Sequence, residues 1–202
     1  MLKLIERSTS LSVTLEEMAA HLRRTDTEEE DLLIERCIKA AEMWAESFTG
    51  LALVDQTWEY YFDSFPTSTA VRGNQLQIPR APLLDIEEFT YRDGTEQPFT
   101  GYYIDTASIP GRVYLPYGGN WPTTDGAPHA GRIRFRAGFV DEGNSPGLIG
   151  EVPEDIKAAV MIYGATLYEN REQYVVGTSV ARVPWSAEEL LRRHRIVEYS
   201  MA

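Results

Sequence analysis

The spacing of apolar residues changes at Gly50, and this change constrains the fold more than any other feature. From Leu32 to Phe48, apolar residues recur every three or four positions, with charged residues mostly between them. That spacing predicts a long amphipathic helix, and glycine is the residue type that most readily ends one. From Gln56 to Phe62 the period is two, which predicts a half-buried strand. The chain therefore combines helices with strands.

Two capping-box patterns predict where the first helices begin. Thr14 followed by Glu17 predicts a short helix from Leu15 to Arg24. Thr27 followed by Glu30 repeats the pattern just before the long apolar stripe, which places a second helix start there.

Two more helices are predicted near the end of the chain. Pro153 suits a first helical turn, and the two acidic residues after it favour the positive end of a helix dipole. Ser186 followed by Glu189 is another capping box, which predicts a last short helix to about His194. The expected fold class is α+β, with a helical core of long amphipathic helices near both ends and an inserted antiparallel β region.

The middle of the chain has the signals of short strands joined by turns. Asp93-Gly94 is a favourable hairpin turn, and the frequent prolines fit strand ends and loops. Strands are predicted at Gln75–Ile78, Ile86–Arg92, Gln97–Ile104, Arg112–Leu115 and Gly131–Phe139. The segment Leu2–Val13 is predicted to be an extended arm. We expect one domain over residues 1–202, with a helical part at 14–50, a β insertion at 53–139 and C-terminal helices with a tail at 153–202.

Composition excludes several classes of protein. With 31 acidic and 19 basic residues the net charge is -12, which argues against a protein that mainly coats nucleic acid. The single cysteine, Cys37, excludes an internal disulfide and fits folding in a reducing cytoplasm. We find neither the apolar run of a signal peptide nor a stretch long enough to span a membrane.

Catalytic, metal and cofactor sites are not predicted. The histidines His21, His129 and His194 form no metal-binding motif, and no phosphate-binding loop or nucleophile elbow is present in the sequence. Glu169 and Glu172 are the one carboxylate pair that suggests an alternative, a small hydrolase. No opposed carboxylate accompanies them, so we expect a protein that is not an enzyme.

Candidate interaction residues fall in three places. Arg132, Arg134 and Arg136 share one face of a predicted strand. We interpret them either as a channel face that touches DNA phosphates or as a face that is solvated or pairs with acidic residues of a neighbouring subunit. The acidic residues proposed for that contact are Glu35, Glu42 and Glu46 on the second helix, and the alternative is that they form a plain solvated helix face. Trp121, in a loop rich in proline and glycine, is either an anchor for a partner or a locally packed residue.

The order of these segments resembles the gp6-like head-to-tail connector family of tailed phages, whose members are also described as adaptor, head-completion or putative DNA-packaging proteins. The residues that carry the resemblance are, in chain order, Val13-Thr14-Leu15-Glu16-Glu17 with His21-Leu22-Arg23, Phe48-Thr49-Gly50, Gln56-Thr57-Trp58-Glu59, Ile78 to Leu83, Tyr102 to Arg112, Asn120-Trp121-Pro122, Arg132 to Gly138, Pro153 to Lys157, Tyr168 to Glu172 and Pro184-Trp185.

The resemblance implies a structural adaptor in a tailed phage or a gene transfer agent. Such a protein forms a ring of about a dozen copies between the portal and a tail-side neck or stopper protein. DNA passes through the ring without sequence-specific binding, and no membrane is involved. The expected location is the virion neck, with the host cytoplasm before assembly. A DNA-binding packaging factor is a further alternative.

The resemblance also implies that the C-terminal segment docks into the portal. Carried onto this chain, that role falls on Leu190, Leu191, Arg192, Arg193, Arg195, Ile196 and Tyr199.

Overall fold

The structure is a computed structural model, and it describes residues 1–24, 30–66, 75–139, 151–170 and 184–196. In these ranges the helices are α1 (Leu15–His21), α2 (Asp31–Thr49), α3 (Glu154–Glu169) and α4 (Trp185–Arg192). The strands are β1 (Leu2–Arg7), β2 (Gln56–Phe62), β3 (Gln75–Gln77), β4 (Leu83–Asp93), β5 (Thr95–Pro98), β6 (Tyr103–Asp105), β7 (Arg112–Tyr114) and β8 (Gly131–Ala137). The predicted α+β class with antiparallel pairing is confirmed.

The chain divides into two compact units. The β unit consists of residues 1–8 and 54–151, and the helical unit consists of residues 9–53 and 152–202. All of the described helices belong to the helical unit, and all of the described strands belong to the β unit.

Helix α1 begins as its sequence predicts. The Thr14 hydroxyl accepts a hydrogen bond from the Glu17 N–H at 3.1 Å, and the Glu17 carboxylate accepts one from the Thr14 N–H at 2.7 Å. This reciprocal pair is a capping box. The helix ends at His21, before the predicted Arg24, and Arg23 has a left-handed backbone with φ of 54°.

Helix α2 ends as predicted but does not begin at a side-chain cap. Gly50 has φ of 80°, and its N–H donates to the Glu46 carbonyl, which is the expected glycine stop. At the other end, the residue before the helix is Glu30, whose side chain makes no capping hydrogen bond. Thr27, the predicted cap, lies outside the described residues.

Helices α3 and α4 differ from their predictions in detail. Helix α3 has no charged residue between Lys157 and Glu169, so it is apolar around most of its circumference and is not strongly amphipathic. Helix α4 follows Pro184, so the predicted capping role of Ser186 is wrong. Pro184 is the N-cap, and its carbonyl accepts hydrogen bonds from the N–H groups of Ala187 and Glu188, so the helix begins at Trp185.

Five strands of the β unit form an antiparallel sheet in the order β1-β2-β8-β4-β5. Strand β8 is central and is paired along its length with β2 and β4. Strand β1 pairs with β2, so the predicted arm is extended but belongs to the sheet of its own chain.

Three short strands form a second antiparallel sheet in the order β3-β7-β6. The segment Gln97–Ile104 was predicted as a single strand, and this is wrong. It divides at Gly101, where φ is 90°, so that β5 ends in the five-stranded sheet and β6 begins in the three-stranded sheet. A left-handed backbone at this position is available to glycine without strain.

Gly138 directly follows β8, and it lies very close to the backbone of Val54 and Asp55. Its φ is 137°, and a Cβ placed there would lie 2.1 Å from the carbonyl oxygen of Val54. The Gly138 N–H also donates to the Pro82 carbonyl at 2.9 Å. A side chain at this position would therefore require the backbone itself to move.

We expect the substitution Gly138→Ala to lower the free energy of unfolding by about 3 kcal/mol, because it adds backbone strain and a backbone clash. Gly94→Ala is a matched control, since Gly94 also has positive φ but has no atom within 4 Å of an added Cβ. The control should lose only about 1 kcal/mol. Urea denaturation of both variants measures the difference, and equal losses would contradict the steric explanation.

Candidate functional site

The predicted arginine row lies on one face of the central strand of the five-stranded sheet. Arg132, Arg134 and Arg136 are half-buried, and the residues between them face the core. The predicted alternation of β8 is therefore confirmed. The chemical character of the row depends on what the guanidinium groups contact.

Arg132 is surrounded by carboxylates from three strands. Its guanidinium lies 2.7 Å from Glu88 of β4, 3.2 Å from Glu96 of β5 and 3.4 Å from Glu59 of β2. Glu59 also accepts a hydrogen bond of 2.7 Å from the Tyr61 hydroxyl, and this bond together with Arg132 holds the pKa of Glu59 below its usual range. The charge of Arg132 is neutralised by its own unit.

The other two arginines are paired as well. Arg134 Nε lies 3.1 Å from a carboxylate oxygen of Glu87, and Arg136 donates from Nε to Asp55 at 3.2 Å and makes a second contact from Nη2. Arg136 therefore forms a bidentate ion pair with Asp55. Each cation of the row lies within ion-pair distance of a carboxylate, which reduces the positive charge available to DNA phosphates or to a neighbour's acidic residues.

The acidic face predicted for α2 is not the exposed face. Glu42 is fully buried, Glu46 is nearly so, and Glu35 is half-exposed and paired with Lys39 at 2.5 Å. The prediction that Glu42 and Glu46 lie on an accessible subunit face is wrong.

The two buried carboxylates of α2 bind Ser12, which precedes α1, and Leu53, which follows α2. Glu42 accepts hydrogen bonds from the N–H of Ser12 at 2.5 Å and from its hydroxyl at 2.7 Å. Glu46 accepts one from the N–H of Leu53 at 2.9 Å. A buried carboxylate is tolerated when such donors satisfy its oxygens. These residues act in the architecture of the helical unit.

The exposed face of α2 carries apolar and basic residues instead. Leu32 and Met43 are 59% and 65% exposed, and Arg36, Lys39 and Ala40 lie between them on the same side of the helix. This outward stripe was not anticipated from the sequence.

Glu42→Ala should lower the free energy of unfolding by about 1–3 kcal/mol, because the Ser12 N–H and hydroxyl lose their buried acceptor. Glu35→Ala on the same helix removes only a solvated ion pair and should cost less than about 0.5 kcal/mol. Chemical denaturation gives both values. A Glu42 variant as stable as the Glu35 variant would show that the hydrogen bonds between Ser12 and Glu42 do not stabilise the fold.

Trp121 packs against aromatic side chains of its own unit. Its ring stacks on Phe65 with centroids 5.1 Å apart and planes at 14°, and Phe99 lies 5.6 Å away. Of the two interpretations of Trp121, the structure therefore favours local packing. The indole is half-buried and does not protrude from the surface.

The residues assigned to portal docking are partly used inside the helical unit. Leu191 is fully buried, and the N–H of Ile196 donates to the Thr49 carbonyl at 2.7 Å. The Arg195 guanidinium lies 5.6 Å from the centre of the Phe48 ring. Arg192 and Arg193 are largely exposed, Leu190 is half-buried, and Tyr199 lies outside the described residues.

Asp155 fixes the C-terminal end of α4 to the start of α3. The His194 ring nitrogen Nε2 lies 2.7 Å from its carboxylate. Burial opposes ionisation of Asp155, but the hydrogen bond and charge of His194 outweigh it and lower the pKa.

Known site chemistries are not apparent in the described part of the chain. Among those residues, no group of three or more His, Cys, Asp or Glu side chains is placed to hold a metal ion. No helix there is long and apolar enough to cross a membrane. Of the carboxylate pair considered for a hydrolase, Glu169 is the exposed last residue of α3, and Glu172 lies outside the described residues.

The outward face of the three-stranded sheet carries an internal ion pair. Asp105 accepts a hydrogen bond of 2.7 Å from the Ser108 hydroxyl and another of 2.7 Å from Arg112 Nε. These contacts, the Ser108 bond first, lower the pKa of Asp105 to about 2. Since the folded pKa is below the ordinary 3.8, this stabilisation is complete above that pH and disappears as the pH falls toward 2.

In an NMR titration, the Asp105 carboxyl should therefore show a midpoint of about 2. Ser108→Ala removes the largest favourable contact and should raise this midpoint toward the ordinary value. The Asp125 carboxyl, whose pKa is lowered by the Ala127 N–H, is an internal control that should not move. An unchanged Asp105 midpoint in the variant would contradict the assigned cause.

Comparisons with known proteins were positive only for solved structures. No family model and no curated protein sequence matches the chain. The chain is similar to one in the neck of an empty gene transfer agent (GTA) particle with C6 symmetry, with 24% identity, a TM-score of 0.67 and coverage of 98% of this chain and 96% of that one.

Two further structures contain similar chains at the same coverage of 98% and 96%. One is the virion of a native GTA particle, with 22% identity and a TM-score of 0.66. The other is the neck of a native GTA particle with C12 symmetry, with 23% identity and a TM-score of 0.63. At these identities the likeness shows a shared fold. Membership of the gp6-like family stays a prediction.

Proposed function

We propose that this chain is a structural head-to-tail adaptor of the gp6-like type in a tailed phage or gene transfer agent. In this proposal about a dozen copies form a ring between the portal and a tail-side neck or stopper protein. The observation that carries the proposal is the fold shared, over 98% of the chain, with a chain from the neck of a GTA particle. The C6 and C12 symmetry of the two neck structures agrees with self-assembly into a ring.

The paired arginines suit a channel through which DNA passes without a tight grip. Exposed, unpaired cations would bind phosphates, and binding would strengthen with each additional contact. Here Arg132 faces three carboxylates and Arg136 is held by Asp55. This arrangement gives no support to the alternative of a DNA-binding packaging factor.

Subunit contacts in the ring are best assigned to the outward stripe of α2. The stripe places Arg36 and Lys39 between exposed Leu32 and Met43. A second copy of this chain, with a net charge of -12, offers carboxylates to Arg36, whereas Lys39 is already paired with Glu35. Charge complementarity of this kind sets the register of neighbouring subunits.

The portal contact is assigned to the exposed part of the C-terminal segment. Arg192 and Arg193 have side chains that are 63% and 70% exposed, so they are accessible to a partner without unpacking the helical unit. Leu191 supports this surface from inside, since it is buried between the helices.

Cryo-electron microscopy of particles from cells that encode this chain tests the function directly. We expect the chain in the neck, as a ring directly below the portal. Deleting the chain should leave filled heads that lose DNA and do not join tails. A neck without this chain, or normal particles after its deletion, would refute the adaptor role.

A further inference from the structure

Exposed aromatic residues are concentrated around the three-stranded sheet of the β unit. Four of the ten large apolar side chains that are exposed in the described ranges lie between residues 103 and 117. They are Tyr103 at 56%, Ile109 at 67%, Tyr114 at 40% and Tyr117 at 108% exposure. Such clustering distinguishes them from the scattered apolar residues found on any protein surface.

The strand register places the central pair of tyrosines on one face. Tyr103 of β6 and Tyr114 of β7 are directly opposite each other, with ring centroids 5.5 Å apart. The other face of the sheet carries Leu76 and Val113, which are buried in the unit. Tyr103 and Tyr114 therefore project outward together from a sheet whose inner face holds it in place. We call this outer surface, with the adjoining Tyr117, the tyrosine face.

The tyrosine face has no net charge in a strongly acidic chain. Between residues 103 and 117 the only charged residues are Asp105 and Arg112, and they bind each other at 2.7 Å. Depletion of charge together with enrichment in tyrosine is the composition of the core of a protein interface. Tyrosine is also among the residue types that contribute most to binding when they are covered.

We infer that the tyrosine face binds an uncharged, apolar surface of a different protein, the tail-side neighbour in the neck. The inference rests on the proposed adaptor function, in which the C-terminal segment faces the portal. Nucleic acid is a poor occupant, because its binding requires unpaired cations.

A second copy of this chain also fits the tyrosine face poorly. Two identical faces that pair with each other form a closed dimer and not a ring. The apolar stripe of α2, with exposed Leu32 and Met43, is assigned to ring contacts in the proposed function, so it is not available to cover the tyrosine face. The neutral, aromatic composition of the tyrosine face favours a partner of different sequence whose contact surface is itself uncharged.

The test replaces the chain by the double variant Tyr103→Ser and Tyr114→Ser in cells that produce the particles. Electron microscopy counts heads joined to tails, and quantitative mass spectrometry of purified heads counts copies of the chain. We expect the variant at wild-type copy number and a fall of about tenfold or more in tail joining. The double variant Tyr103→Phe and Tyr114→Phe keeps both rings and should join tails nearly normally.

Leu4→Ser is the matched control, since Leu4 is an apolar residue, 43% exposed, on the edge strand of the other sheet. It should leave tail joining unchanged. Thermal unfolding of each purified variant verifies that the serine substitutions leave the fold intact, as expected for exposed side chains.

Two outcomes would overturn the inference while leaving the adaptor role standing. One is normal tail joining by the serine variant. The other is its loss from the heads, which would assign the tyrosine face to ring or portal contacts. Absence of the wild-type chain from the neck would instead refute the adaptor function itself.

Discussion

The pairing of arginine with carboxylate across β8 is the interaction on which the β unit depends. The strand is central, so its two neighbours must both lie against a row of three cations. Carboxylates supplied by Glu59 on one side and by Glu88 on the other make that arrangement stable. On the opposite face Ile133 and Phe135 are fully buried. The same pairing reduces the positive charge that the arginine row can offer to phosphates.

Elements with a complete local signal could be predicted from the sequence, and elements that depend on distant partners could not. The Thr14 capping box and the Gly50 stop need only a few neighbouring residues, and both are present as predicted. Glu42 occupies a position that helical spacing assigns to the charged side. It is nevertheless buried, because the chain brings the Ser12 N–H and hydroxyl to it from 30 residues away. No periodicity contains that information.

The candidate surfaces were harder to predict than the fold, for a related reason. Whether an aromatic residue is exposed depends on what other strands place beside it. Trp121 lies in a loop that suggests exposure, yet it stacks on Phe65. Tyr103 was predicted within one long strand, and only the break at Gly101 carries it into a second sheet beside Tyr114. Strands of three residues are too short for alternation to reveal which face is buried.

The three surfaces described here differ in chemistry, and this difference has a consequence for assembly. The outward stripe of α2 is apolar and basic, the exposed C-terminal arginines are basic, and the tyrosine face is neutral. Under the proposed function, a subunit that meets its own copies and two different partners gains specificity when each contact requires a different complement. The net charge of -12 adds a general repulsion between free copies, which only a complementary contact overcomes. Acidity thus favours ordered joining over random association.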